Sequence, residues 1–193
     1  MIDFIIPSIG RETLPESLHS LIEQTNPNWR AFVGFDGMSE SQVNKSIIVE
    51  DSRINYFFLK DKLGVSAQHG NAGQVRNKII SLIDSPSPWL GFLDDDDKLS
   101  KFYVEILANE ILKEENDCYV FRMNHNGTII PPFHVNTLIQ NYVGISFCLK
   151  ADLISSYCIT FENDNAEDFK FLMKVTSCTN KVKILPYVTY FVG

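Results

Sequence analysis

Hydrophobic and polar positions alternate between two periods along the first half of this chain. Ile2 to Ile6 is a short apolar run closed by Pro7-Ser8-Ile9-Gly10, the pattern of a buried strand and a loop. Leu14, Leu18, Leu21 and Ile22 then recur at helical spacing. Ala31–Phe35 and Ile54–Leu59 read as the next two strands, the first ended by Asp36-Gly37. Val75, Ile79, Leu82 and Ile83 share one face of a second helix. Trp89–Leu93 is a fourth strand, and it runs straight into Asp94-Asp95-Asp96-Asp97. Ser100 is placed as the N-cap of a helix with Tyr103, Ile106, Leu107 and Ile111 inside. This alternation predicts an α/β fold with a mainly parallel sheet and helices on both faces.

The second half has a different pattern. Cys118–Met123 reads as a strand, and Asn126-Gly127 is a strong hairpin signal. Gly144–Leu149 is another apolar strand. Ala166–Thr176 is predicted as a helix with Phe169, Leu172, Met173 and Thr176 on one side. Lys181–Leu185 and Tyr187–Val192 carry β patterns around Pro186. No repeat or linker separates the halves. The expectation is one domain over 1–193, with a nucleotide-type α/β half (1–98) and a mixed, more irregular half (99–193).

Composition narrows the classes. Of the 193 residues 45% are hydrophobic and 21% charged, which excludes disorder. The net charge of −7 argues against a nucleic-acid partner, whose phosphates demand a basic face. Cys118, Cys148, Cys158 and Cys178 form no CxxC pair, so they read as reduced, mostly buried thiols of a cytoplasmic protein. The N-terminus lacks a basic n-region, and the longest uncharged stretch, Met123–Leu149, holds too many amides and prolines to span a bilayer. No direct membrane insertion is expected. Trp29 and Trp89 read as core, His19 as structural, and His69, His125 and His134 as surface or hydrogen-bonding residues. The Met123–Leu149 stretch, with Phe133, Tyr142 and Phe147, has two open readings: a sugar-contacting wall, or a hairpin and loop over the core.

The candidate chemistry gathers at one sheet edge. Ligands of open parallel sheets bind beyond the carboxyl ends of the strands. Pro7-Ser8-Ile9-Gly10-Arg11, Asp36-Gly37 and the aspartate run all stand at such ends. The helix beginning near Asn71-Ala72-Gly73 brings a positive N-terminus, Arg76 and Asn77 to the same edge, which suits a phosphate. In an extended segment Asp94 and Asp96 point one way and Asp95 and Asp97 the other. Four adjacent carboxylates repel unless a cation binds, and hard oxygen ligands suit Mg²⁺ or Mn²⁺ with a diphosphate completing the shell. The plainer reading is a solvated acidic turn; its place at the mouth of a sheet favours the cation.

Five motifs, in order, resemble family 2 glycosyltransferases of the GT-A fold. They are IIPSIGR, QTNPNWRAFVGFDGMS, NAGQVRN, FLDDDD and NAEDFKFL, spread from residue 2 to about 172. The resemblance implies a GT-A α/β/α sandwich with a mixed, mainly parallel sheet. It implies sugar transfer from a nucleoside-diphosphate donor, most often UDP-linked, to a hydroxyl of a glycan or other acceptor, with inversion. Pro7, Ser8, Gly10 and Arg11 would line the nucleotide pocket and Asp36 would hold the base. Gly73 and Arg76 would meet the base or diphosphate, with Asn77 supporting the loop. Asp94 and Asp95 would lie near the ribose, and Asp96 with Asp97 would hold Mn²⁺ or Mg²⁺. Asp168 would be the general base with Glu167 beside it; the plainer reading of that pair is first-turn acids favoured by the helix dipole.

Two departures qualify the resemblance. Phe35 stands where the family usually has the first Asp of its second motif, and Ser8 replaces a commoner Thr. The chain is expected to be a minimal enzyme, or a domain of a larger chain or homo-oligomer. Two alternatives remain at this level: a nucleotidyltransferase on a related scaffold, and a nucleotide-sugar- or carbohydrate-binding module of the same fold without turnover. An aspartyl phosphatase is weaker, because its Asp-x-Asp should end the first strand.

Overall fold

The computed structural model describes residues 1–64, 72–163 and 166–193. The expectations for His69 and Asn71 fall outside them. Strands β1 (Ile2–Ser8), β2 (Trp29–Asp36), β3 (Ile54–Leu59) and β4 (Trp89–Phe92) alternate with helices α1 (Leu14–Ile22) and α2 (Gly73–Ser81). They pair in parallel in the order β3-β2-β1-β4. All seven residues of β1 are buried, as a parallel strand covered on both faces requires.

Beyond β4 the sheet becomes mixed. The remaining elements are β5 (Lys98–Leu99), α3 (Tyr103–Lys113), β6 (Cys118–His125), β7 (Thr128–Ile130), β8 (Phe147–Lys150), α4 (Ala151–Tyr157), α5 (Glu167–Cys178) and β9 (Val182–Val192). Strand β8 runs antiparallel to both β4 and β6, so β6 runs in the direction of β4, and β9 pairs in parallel with β6. The carboxyl ends of β1, β2, β4, β6 and β9 therefore share one edge. Strands β6 and β7 form the expected hairpin, with Asn126 and Gly127 both at positive φ (52° and 86°).

Several expectations are corrected. The segment around Pro186 is one strand, not two; it passes the proline by a register shift between Val120 and Arg122 of β6. Ser100 is not the N-cap of α3: Phe102 is, and the Ser100 carbonyl accepts from Tyr103 N–H and from the Gln24 side chain. Helix α2 stops before Leu82 and Ile83. In α5 the buried stripe is Phe171, Leu172 and Val175, and Met173 is exposed. Strand β5 and helix α4 carry no clear periodicity.

Phe92, Phe147, Phe161 and Phe171 form the core cluster between β4, β8 and α5. Phe161 and Phe171 stack at 3.9 Å, and Phe92 meets both edge-on. Trp29 and Trp89 are buried, as expected. The four cysteines are free; Cys118 and Cys148 are buried, Cys178 is half-buried and Cys158 is exposed. Burial pushes the Cys118 and Cys148 thiols up, which keeps them protonated and inert. Among the described residues no helix is long and apolar enough to cross a membrane.

Candidate functional site

A cleft of about 270 Å³ opens at the shared strand edge. Pro7, Ser8, Ile9, Arg11, Asp36, Gly64, Ala72, Val75, Asp94, Asp95 and Asp96 line it. Pro7, Ser8, Arg11, Asp36, Asp94, Asp95 and Asp96 were singled out by sequence. Ile9 and Ala72 belong to the loops expected at this edge without a role of their own, Val75 was expected only as an apolar helix position, and Gly64 carries no motif.

The aspartates do not alternate as an extended strand would. The Asp97 N–H donates to the Asp94 carbonyl at 3.2 Å, so residues 94–97 form a turn; Asp95 and Asp96 both meet Arg11 Nη1, while Asp94 meets Arg76. Asp94 accepts from Arg76 Nη2 at 2.5 Å. Asp95 is buried and accepts from Ser8 Oγ at 2.6 Å and Ile9 N–H at 3.3 Å, while Thr13 Oγ1 donates to its carbonyl. It thus fastens the loop after β1, where Gly10 sits at φ +80°, to the end of β4. Burial pushes the Asp95 carboxyl up, opposed by the Ser8 hydroxyl and Arg11. Asp96 is half exposed, pairs with Arg11 and faces the cleft.

Asp97 turns away from the cleft. Its carboxylate accepts the Gly193 N–H at 3.0 Å, and burial, reinforced by Asp94, pushes it up to about 6. The buried Tyr190 hydroxyl stands between Asp97 and the Asp94 N–H, which donates to it at 3.2 Å. Sequence reasoning missed Tyr190, because β9 reads only as a strand.

Asp36 holds the neighbouring loop, accepting from Leu63 N–H at 2.6 Å and Gly64 N–H at 3.0 Å. Asn77 faces the other way. Its side chain donates to the Phe161 carbonyl and accepts the Phe161 N–H, both at 2.9 Å. Gln74 joins the same carbonyl. This clamp fixes the segment that leads into α5. Removing it with Asn77→Ala is expected to cost about 1–3 kcal/mol, since the Phe161 N–H loses its partner and the carbonyl keeps Gln74 alone. A chemical-denaturation curve unchanged from wild type would contradict the clamp.

Helix α5 delivers Glu167 and Asp168. Glu167 accepts the Gly73 N–H at 2.9 Å, at the start of α2, and Arg76 Nη1 at 2.7 Å. Asp168 meets the same Nη1 at 3.4 Å and keeps 27% of its side chain exposed. Arg76 itself is fully buried and is not part of the cleft wall. Burial opposes its charge, but Asp94, Asp168 and Glu167 outweigh that and hold its pKa above the ordinary arginine value. One guanidinium cannot neutralise three carboxylates. Burial pushes Asp168 up to about 7; Arg76 opposes the shift, and Asp94 and Glu167 add to it. Glu167 is also raised, by burial first. A carboxyl poised near neutrality at the mouth of a sheet has the protonation balance of a general base.

The donor set suits a cation that arrives with its own oxygens. Among the described residues no three His, Cys, Asp or Glu side chains converge to hold a metal alone. Mg²⁺-type sites, however, often use one or two carboxylates plus substrate phosphates and water. Asp96, open to the cleft, fits that part.

Comparison with known proteins places this arrangement. Glycosyl transferase family 2 matches residues 3–179. No curated protein matches. Among solved structures the chain is similar to the S. aureus TarS fragment 1–349 in complex with UDP-GlcNAc. The TM-score is 0.80 at 22% identity, covering 99% of this chain and 58% of that one. It is similar also to S. aureus TarS (TM-score 0.80, 21% identity, 99% of this chain and 36% of that one). The third is the TarS fragment in complex with UDP (TM-score 0.78, 19% identity, 99% and 60%). The chain thus spans three-fifths or less of these proteins' length, and the likeness is one of fold: GT-A, α/β, with a mixed sheet. With the family match running from β1 through α5, over both carboxylate loops and most of the chain, the chain belongs to glycosyl transferase family 2.

Proposed function

We propose that the chain transfers a sugar from a nucleoside-diphosphate donor, UDP-linked, to an acceptor hydroxyl with inversion. The observation that carries this reading is the pairing of one cleft with the Asp168 carboxyl, which is both raised and partly exposed. The cleft offers Arg11 and Asp96 at its mouth and Asp36 at its side. Asp168, raised to about 7, is joined to that wall through Arg76. The solved relatives supply a consistent partner, since TarS itself is seen with UDP and with UDP-GlcNAc.

In this reading the donor diphosphate lies against the loop after β1 and the aspartate turn, near Arg11. Asp96 would hold a divalent cation, which when bound supplies fixed positive charge against the leaving diphosphate. Asp168 takes the proton from the acceptor hydroxyl as it attacks the anomeric carbon. A single base on the acceptor side suffices for inversion. Asp97 supports the turn rather than the ligand, and Asn77 supports α5.

The test is thermal. UDP with Mn²⁺ is expected to raise the melting temperature; at a hundred times Kd the added stability is about 2.7 kcal/mol. Asp96→Ala is expected to abolish the Mn²⁺-dependent part. No shift with any nucleoside diphosphate, with or without Mn²⁺, would overturn the proposal.

A further inference from the structure

Arg76 stands where a phosphate-binding arginine is expected, yet its surroundings are not those of one. Arg76 is 1% exposed, and it is absent from the cleft wall. Nη2 donates to Asp94 at 2.5 Å, and Nη1 donates to Glu167 at 2.7 Å and Asp168 at 3.4 Å. Nε is buried away from solvent. One flank of the ion also lies over the Phe161 ring, 5.4 Å from its centroid. The group is closed in by α2, the end of β4 and the start of α5.

The three carboxylates are held unequally. Glu167 has two partners, Arg76 and the Gly73 N–H. Asp94 has the shortest contact and lines the cleft. Asp168 meets the guanidinium through the longest contact and retains exposure. The charged groups that face Asp168 are Arg76 from α2, Asp94 and Asp97 from the turn after β4, and Glu167 from its own helix. Among the described residues that act most on Asp168, Arg76 is the cation and Asp94, Glu167 and Asp97 are like charges.

We infer that Arg76 is a positioning residue: it orients the Asp168 carboxylate and ties it to Asp94 in the cleft wall, and it does not itself take the donor phosphate. The inference rests on Asp168 being the base proposed above. It reassigns the arginine of the NAGQVRN motif from ligand contact to support. A lysine keeps the charge but not the planar fork that reaches Asp94 and Asp168 at once.

Arg76→Lys, Asp168→Asn and their double variant separate the possibilities, with Mn²⁺ present throughout. Two quantities are read: the melting shift with UDP, and steady-state hydrolysis of whichever of UDP-glucose, UDP-galactose or UDP-GlcNAc the wild type cleaves fastest. Arg76→Lys is expected to keep the UDP shift and hold KM within about threefold, while kcat falls by about tenfold or more. In the Asp168→Asn background the same change is expected to remove less than about threefold further, because the two residues act as one unit. A lost UDP shift or a raised KM with kcat held makes Arg76 a donor ligand and overturns the inference. So do losses that multiply in the double variant. If Arg76→Lys fails to fold, Asp94→Asn releases the same guanidinium from the cleft side, and its coupling to Asp168→Asn is read the same way. Wild-type hydrolysis untouched by Asp168→Asn alone strikes the base assignment instead. With a wild type inert to all three sugars, the UDP shift of Arg76→Lys still decides whether the arginine is a ligand.

Discussion

Asp168→Asn is expected to lower kcat by about 10²- to 10⁴-fold, the range that a positioned general base contributes. The side chain keeps its size and its contact with Arg76 Nη1, so the UDP-induced melting shift should survive. The pH dependence follows from the same carboxyl. A base works deprotonated, and this one is raised to about 7, so wild-type activity should rise with pH through that region and level off above it. In Asp168→Asn that acid limb should vanish from the residual rate. A variant within threefold of wild type would remove Asp168 from the chemistry and leave Glu167 as the carboxylate to examine. Glu167 is the weaker choice on geometry. Its oxygens already accept from Arg76 and from the first N–H of α2, and it is more enclosed.

Phe171→Ala is expected to have the largest effect on stability, a loss of about 3–5 kcal/mol. Phe171 is 1% exposed and touches Phe92, Phe147 and Phe161, so the deletion opens a cavity among rings that are themselves fixed. For a chain of this length that loss lowers the melting temperature by on the order of 10 °C. Calorimetry checks it, and a loss below about 1 kcal/mol would mean that the neighbouring rings close the gap. The position also bears on function. Phe171 lies three residues after Asp168 on α5, on the same side of the helix, so the packing that anchors the helix also aims the carboxylate.

Elements whose signals are local were readable from the residues alone. Strand β3 is found from Ile54 to Leu59 as expected, because turn signals bound a short apolar run. The hairpin at Asn126-Gly127 follows from two residues that tolerate positive φ. The cleft loops were readable for a similar reason, since each follows a strand directly. What failed depends on distant partners. Helix α5 contains Phe169, Phe171, Leu172, Met173 and Val175, which allow two apolar stripes. Phe92, Phe147 and Phe161 choose between them from elsewhere in the chain. Helix α4 is seven residues long and ends in a left-handed Cys158 rather than a glycine, so neither period nor cap announces it. The side chains around the aspartate run were invisible for the same reason. Nothing near Asp94 in sequence marks Arg76 or Tyr190 as its partners.

The aspartate turn is closed by a tyrosine 96 residues further along the chain, and its arginine is balanced by two acids on α5. That spacing sets an order of events during synthesis, when a chain folds from its N-terminal end. The parallel strands and the four aspartates emerge first, with their like charges close together and neither Tyr190 nor Glu167 yet made. A chain interrupted before Glu167 carries one wall of the cleft but neither the α5 acids that face Arg76 nor the Tyr190 hydroxyl at the turn. The contacts that close the turn and balance the arginine therefore form late, only once α5 and β9 have been made.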